Sequence, residues 1–199
     1  MRELVDLKKL PAPKVVQELS YEILLAQRKD KFLSLQETDD LRKHWQARLQ
    51  LESEPVVKLL EENAYLELLL RTNINESAKA VMLAYATGSD LDQLGALFGI
   101  KRLIIQAEDL NAHPPIPAKY EDDERFRTRI QMSLEGLTTA GSRASYEFHA
   151  LSTSAKIKDV DVTSPTAGTV KVAILSTEGQ GTADSDLINA VKKQLNAEH

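Results

Sequence analysis

The sequence predicts an α+β protein with a mostly helical N-terminal region followed by a small α-α-β-β-α domain. Apolar residues recur at helical spacing through the first half of the chain, and their period drops to two between residues 156 and 176. A proline-rich stretch separates the two patterns. The chain has 199 residues, 42% of them hydrophobic, which is enough to bury a core.

The prolines define the predicted domain boundary. Residues 111–119 carry three prolines in four positions, a composition typical of a stiff, extended connector. We therefore expect a helical region over residues 1–110 and an α/β domain over residues 120–199. An extended arm opens the first region, because Pro11 and Pro13 each fix their own backbone and restrict the residue before them.

The helical region is divided by its apolar spacing and capping residues. Pro55 suits the first turn of the clearest helix, since a first-turn residue needs no N–H partner. Leu66, Leu69 and Leu70 widen the apolar surface of that helix beyond one stripe. Helices are expected at residues 16–26, 38–51, 55–70, 74–85 and 89–98.

An acidic cluster opens the second domain. Residues 121–124 are all acidic, and acids at a helix start are favoured by the helix dipole. The i, i+4 spacing predicts two ion pairs, Glu121 with Arg125 and Asp123 with Arg127. We expect this helix to continue through Leu137 and a second one to cover residues 142–152.

Two strands and a helix complete the predicted domain. Alternating valines place strands at residues 156–163 and 169–176, joined by a five-residue turn. Pairing Val162 with Val170 would keep both valines inward and set Asp161 opposite Lys171. A final helix, capped by Thr182, should follow.

Two strands alone are too few for a robust sheet, because a stable sheet usually needs three or more. We therefore expect a missing C-terminal strand, supplied either from beyond residue 199 or by a partner.

Composition excludes several classes of function. Thirty acidic residues outnumber 25 basic ones, so the charge of a dedicated DNA-binding domain is absent. The chain has no cysteine, which excludes disulfides, Cys-type zinc sites and thiol catalysis. It lacks the apolar segment of a signal peptide and any apolar run of ~18–20 residues that could span a bilayer.

Several motifs could carry chemistry, but none has a second group converging on it. Residues 121–124 could bind a cation, and Gly179-Gln180-Gly181 lies where a phosphate-binding turn would. His149 lacks a metal-ligand neighbour, and Asp159 and Asp161 share one strand face as a paired-carboxylate site would. From these residues we predict no catalytic residue, cofactor or metal.

The order of many short motifs is more informative than any one of them. The chain resembles the baseplate J-like proteins of contractile-tailed phages. The resemblance rests on motifs including Glu52-Ser-Glu-Pro55, Gly88-Ser-Asp-Leu-Asp92, Asp122-Asp-Glu-Arg-Phe-Arg127, Thr139-Ala-Gly-Ser142 and Val160-Asp-Val-Thr-Ser-Pro165.

This resemblance implies a structural role without catalysis. Two copies would join a different third protein in a wedge, and six wedges would surround a hub. It also implies that the chain is shortened at its C-terminus, since family members continue into another strand. The implied location is the virion tail baseplate, with assembly in the host cytoplasm.

We therefore expect a wedge component whose partners are other baseplate proteins and copies of itself, with no nucleic acid, membrane or small-molecule substrate. Alternatives are a component of a phage-tail-like bacteriocin or injection system, an enzyme using Asp159 or Asp161, and a nucleic-acid adaptor. The candidate interface residues are Pro11, Pro13, Trp45, Leu66, Leu69 and Leu70.

Overall fold

The computed structural model describes residues 4–11, 13–138 and 141–196. Thr139 of one resemblance motif and the chain end at 197–199, on which the expected shortening rests, lie outside these residues. The described elements are α1 (Tyr21–Ser34), α2 (Asp39–Arg48), α3 (Pro55–Ala80), α4 (Gly88–Leu97), β1 (Ile104–Gln106), β2 (Lys119–Tyr120), α5 (Asp123–Gln131), α6 (Arg143–Thr153), β3 (Ile157–Thr163), β4 (Lys171–Ser176) and α7 (Ser185–Leu195).

The α+β class is confirmed. After residue 120 the described chain runs α5, α6, β3, β4 and α7, the predicted order, with a 3₁₀ turn at Ser133–Leu137. The sequence did not predict β1 and β2, which pair antiparallel around the proline-rich stretch. Two- and three-residue strands are too short to show a clear hydrophobic period.

Residues 9–84 form one compact unit of α1, α2 and α3. Ser20 caps α1 and Thr38 caps α2, each through a side-chain oxygen that accepts from a backbone N–H three residues on. α1 begins at Tyr21 and continues through the charged residues 28–31 to Ser34, whereas the sequence predicted a helix over residues 16–26. Arg28 holds Glu67 of α3 at 2.5 Å there, so the charged stretch packs as part of the helix pair.

α3 is one continuous helix where the sequence suggested two. Asn75, expected near a helix start, is buried within it. Its side-chain amide donates to the carbonyl oxygen of Gln17 and accepts from the N–H of the same residue, at 2.8 and 3.1 Å. This satisfied amide stabilises α3 where helix propensity alone is weak.

The second compact unit contains residues 4–8 and 85–196. The units therefore divide at residue 84, whereas the sequence places the boundary at 111–119. That segment lies inside the second unit because β1 and β2 pair at its two ends and Asp109 pairs with Ile116 across its loop. Whether the prolines also allow bending in solution stays a prediction.

The β3–β4 hairpin packs against α6 and α7. Val160 and Val162 face inward, as predicted, and join Ala150, Ile157, Leu187 and Val191 in one core. The register differs from the prediction, because Val162 pairs with Val172 and not with Val170. A shift of two residues keeps every side chain on its face, so the hydrophobic pattern alone could not exclude it.

A glycine allows a close approach between α4 and α5. A Cβ added to Gly95 of α4 would lie 2.5 Å from the ring of Phe126, a fully buried residue of α5, and 2.9 Å from the carbonyl oxygen of Ile100. Only glycine allows α4 to pack this closely on α5.

The pairing around residues 111–119 generates a test of the predicted connector. We expect a chain cut at a protease site inserted between Asn111 and Ala112 to elute from gel filtration as one species. The backbone bond from Glu121 to Leu103 and the neighbouring side-chain contacts would hold the two pieces together. A denaturing gel provides the control that cleavage is complete. Pieces that separate on the native column would instead establish a free linker.

Candidate interaction surfaces and the buried charge network

Glu121 is the most buried charged residue near the start of α5, with 2% of its surface exposed. One carboxylate oxygen accepts from the N–H of Leu103 at 2.8 Å and from Nη1 of Arg129 in a very short contact. The other lies 3.3 Å from Nη1 of Arg125. A buried carboxylate is tolerated only when it is paired and hydrogen-bonded, and Glu121 is both.

The two arginines also donate hydrogen bonds to other segments of the chain. Arg125 donates to the carbonyl oxygens of Leu151 and Ser154 at 2.8 and 2.7 Å, which closes the C-terminal end of α6. Arg129 donates to the carbonyl of Lys101 at 3.1 Å. Burial lowers the pKa of both guanidiniums, and the charge of Glu121 opposes that shift.

Arg102 forms a second charged centre where α4 and α5 begin. Its guanidinium pairs with Asp92 and Asp123, each at 2.8 Å, and lies 4.7 Å from the ring centre of Phe126. Burial disfavours the charge of Asp123. The N–H of Gly88 and the guanidinium of Arg102 outweigh that effect and hold the pKa of Asp123 below its ordinary value.

The structure gives each member of the acidic cluster a partner. Glu121 pairs with Arg125, as the spacing predicts. Asp122 caps α5 by accepting from the N–H of Arg125. Asp123 forms an ion pair with Arg102, while Arg127 pairs with Glu124 and donates to the carbonyl of Ala86. The charge of Arg127 also helps to lower the pKa of Asp123, so the two charges attract as the spacing predicts. Every acid of the cluster therefore has a structural role.

The predicted pair across the hairpin is replaced. The observed register sets Asp161 opposite Ala173, and Lys171 opposite Thr163. Asp161 instead accepts from Nη2 of Arg143 at 2.7 Å, on an exposed face. An exposed pair of this kind stabilises the fold by only about 0–1 kcal/mol.

The remaining candidates for chemistry are not brought together. Asp159 lines an open cavity of about 480 Å³ with Arg125, Arg129 and Lys158, while Asp161 is held by Arg143. Within residues 4–11, 13–138 and 141–196, no group of three His, Asp or Glu side chains is placed to hold a metal ion. None of the helices in this part of the chain is both long and apolar enough to cross a bilayer.

The candidate interface residues fall into two groups. Trp45 is half-buried in edge-to-face contact with Phe32, with ring centres 5.2 Å apart, so it packs within its own unit. Pro11 is exposed and Pro13 half-buried. Leucines 66, 69 and 70 are exposed by 53%, 43% and 62% of their surface.

The exposed leucines belong to a longer stripe on α3. Leu59, Leu66 and Leu70 recur at spacings of seven and four, which places them on one face. The buried residues Val57 and Ala64 lie on the opposite face. Because the helix already has its packing face, this apolar stripe has no partner among the described residues of the unit. The sequence showed the leucines but not which of them α1 covers.

Comparison with known proteins gives the class to which the chain belongs. Residues 52–109 match the model of the baseplate J-like N-terminal domain, and residues 138–199 match that of the baseplate J-like central domain. Together these segments make up more than half of the chain. The chain belongs to the baseplate J-like family.

One relative is particularly similar. The chain is 47% identical over 195 residues to baseplate protein J of Escherichia phage P2, an alignment that covers 98% of this chain. It spans 64% of the length of that relative. α5 lies between the two family-matched segments, and its buried network includes residues of both.

The network generates a stability prediction. Replacing Glu121 with Gln should lower the free energy of unfolding by about 3–5 kcal/mol, because two buried guanidiniums lose their counter-charge. Glu124→Gln is the matched control. Its side chain is 64% exposed beside Arg127, so the cost should stay below about 1 kcal/mol. Urea unfolding measures both, and equal effects would contradict the assignment.

Asp123 generates a pH prediction. Its folded pKa lies below its unfolded value, so the stability that its charge contributes is complete above the unfolded pKa and is lost as pH falls through the folded one. Asp123→Asn should lower the free energy of unfolding by about 1 kcal/mol at pH 7 and by less below about pH 4.

Asp92→Asn is the control for this experiment. It removes the other, more exposed partner of the same guanidinium, so a smaller loss of stability is expected at pH 7. Urea unfolding between pH 2 and 7 measures the dependence. A loss for Asp123→Asn that does not change with pH would contradict the assignment.

Proposed function

We propose that the chain is a structural component of a contractile phage tail baseplate and acts through protein–protein contacts without catalysis. The observation that carries the proposal is the 47% identity to baseplate protein J of phage P2 along almost the whole chain. The fold supports this proposal, because the buried carboxylate Glu121 and its arginine partners connect different segments of the chain. A location in the virion tail, after assembly in the host cytoplasm, belongs to the same proposal.

The proposed partners are other wedge proteins and a second copy of the chain. The α3 stripe supports self-association, since a 26-residue helix with a free apolar face can bury that face against a neighbouring helix. Burying one leucine contributes about 1.5–3 kcal/mol. Two or three leucines are therefore enough to control association at the concentrations found in an assembling particle.

A phage complementation test addresses the function directly. A phage whose own copy of this gene is disrupted should make tails with complete baseplates only when the chain is supplied in its full natural length. Electron microscopy of purified particles provides the readout. Normal baseplates without any supplied copy would contradict the proposal.

The stripe generates a separate prediction about association. The double variant Leu66→Gln, Leu70→Gln should weaken self-association about 100-fold or more, as measured by light scattering across a concentration series. Circular dichroism should stay unchanged, because both side chains are already more than half exposed.

Tyr65→Gln is the matched control for the stripe. Tyr65 is 54% exposed on the same helix but lies about 100° around it from Leu66. It should associate as the unaltered chain does. Equal weakening by the control would assign association to general surface hydrophobicity and not to the stripe.

A further inference from the structure

The start of the chain packs on α5, far from its own position in the sequence. Residues 4–8, which we call the N-terminal arm, belong to the same compact unit as residues 85–196. The carbonyl oxygen of Val5 accepts from Nε2 of Gln131 at 3.1 Å. Nζ of Lys8 lies 3.4 Å from Glu124. Both contacts are with side chains of α5.

The arm lies beside a groove that it only partly fills. A cavity of about 400 Å³ is bounded by Leu4 and Val5 on one side and by Met132, Leu151 and Val160 on the other. Val5 keeps 62% of its surface exposed and Leu4 keeps 39%. The arm thus contributes two apolar side chains to the groove without being enclosed by it.

The contacts of the arm are individually weak. The pair between Lys8 and Glu124 is exposed at both ends, by 76% and 64%, and such pairs stabilise little. The bond from Gln131 to Val5 is also exposed. The arm can therefore leave the groove without unfolding α5.

The connection of the arm to its groove runs entirely through the other compact unit. Residues 9–84 intervene between the arm and the rest of its own unit. The sequence predicts an extended backbone for the link between residue 9 and the cap of α1 at Ser20. In the structure Leu7–Lys9 is instead a 3₁₀ turn, and the N–H of Val16 donates to the carbonyl oxygen of Pro13 at 3.0 Å, so exchange requires these turns to open. A span of twelve residues can reach roughly 40 Å when extended. The groove can be occupied by the arm of the same chain or by the arm of another copy.

We propose that the N-terminal arm exchanges between copies, so that residues 4–8 of one chain occupy the groove on α5 of a second copy. The proposal rests on the self-association inferred above and names a second surface for it. The partner is identified by the contacts themselves, because an exchanged arm makes the same hydrogen bond, ion pair and apolar contacts as a resident one. Reciprocal exchange produces a dimer.

Local concentration decides between the two arrangements. A tethered arm competes at millimolar effective concentration, so a dilute single chain keeps its own arm. Copies held together in an assembly present their arms at a similar concentration, and exchange then keeps every contact of the arm with the groove. The arm is thus expected to exchange in the associated protein and to stay resident in the dilute monomer.

Cysteine trapping tests this directly, because the chain has no cysteine of its own. Val5→Cys on a size-tagged chain is co-expressed with Gln131→Cys on an untagged chain, and the purified mixture is oxidised at high concentration. The expected result is a disulfide-linked species of mixed size. In the control mixture, Ser164→Cys on the hairpin turn replaces Gln131→Cys, and the mixed species should fall at least tenfold.

Two further measurements make every outcome decisive. The double variant Val5→Cys, Gln131→Cys in one dilute chain should be linked internally by oxidation or by a short bifunctional thiol reagent, and linkage by neither would contradict the position of the arm itself. Light scattering follows association independently of the arm. Associated protein that gives no more of the mixed species than the Ser164→Cys control would overturn exchange and leave the proposed self-association intact. A protein that stays monomeric at every concentration would overturn both.

Discussion

The fold of the second unit depends on one buried carboxylate. Glu121 lies immediately before α5, and its two oxygens are neutralised by arginines one and two turns along that helix. The same arginines donate to the carbonyls of Lys101, Leu151 and Ser154, which belong to segments before and after α5. Three segments are thereby fixed around one charge. Such an arrangement costs desolvation and specifies geometry in return.

This position also shows how residues of both family-matched segments are joined within the second unit. Leu103 lies in the N-terminal segment and donates to Glu121. The end of α6 lies in the central segment and is closed by Arg125. α5 lies between them and carries both arginines. Such a connection suits the proposed role of a structural component that acts through protein–protein contacts.

Much of the fold could be predicted from the sequence, and most of the incorrect predictions share one cause. The order of elements after residue 120, the inward valines and the local pair of Glu121 with Arg125 follow from local patterns. Two helix predictions were wrong, because α3 is one helix where two were expected and Asp184, not Thr182, caps α7. Long-range partners were not predicted. Asp123 pairs with Arg102, which lies 21 positions away in the sequence, and Asp161 pairs with Arg143. The hairpin register is also shifted by two residues from the predicted one. Local spacing cannot rank a neighbour against a distant side chain that the fold brings equally close.

The position of the arm on α5 imposes an order on the synthesis and folding of the chain. The arm ends at Lys8, whereas α5, which receives it, begins at Asp123. A ribosome needs on the order of ten seconds to make the chain between them. Throughout that time residues 4–8 have no groove to occupy. The arm is therefore made well before the helix that binds it, and it can take its final position only after α5 has folded.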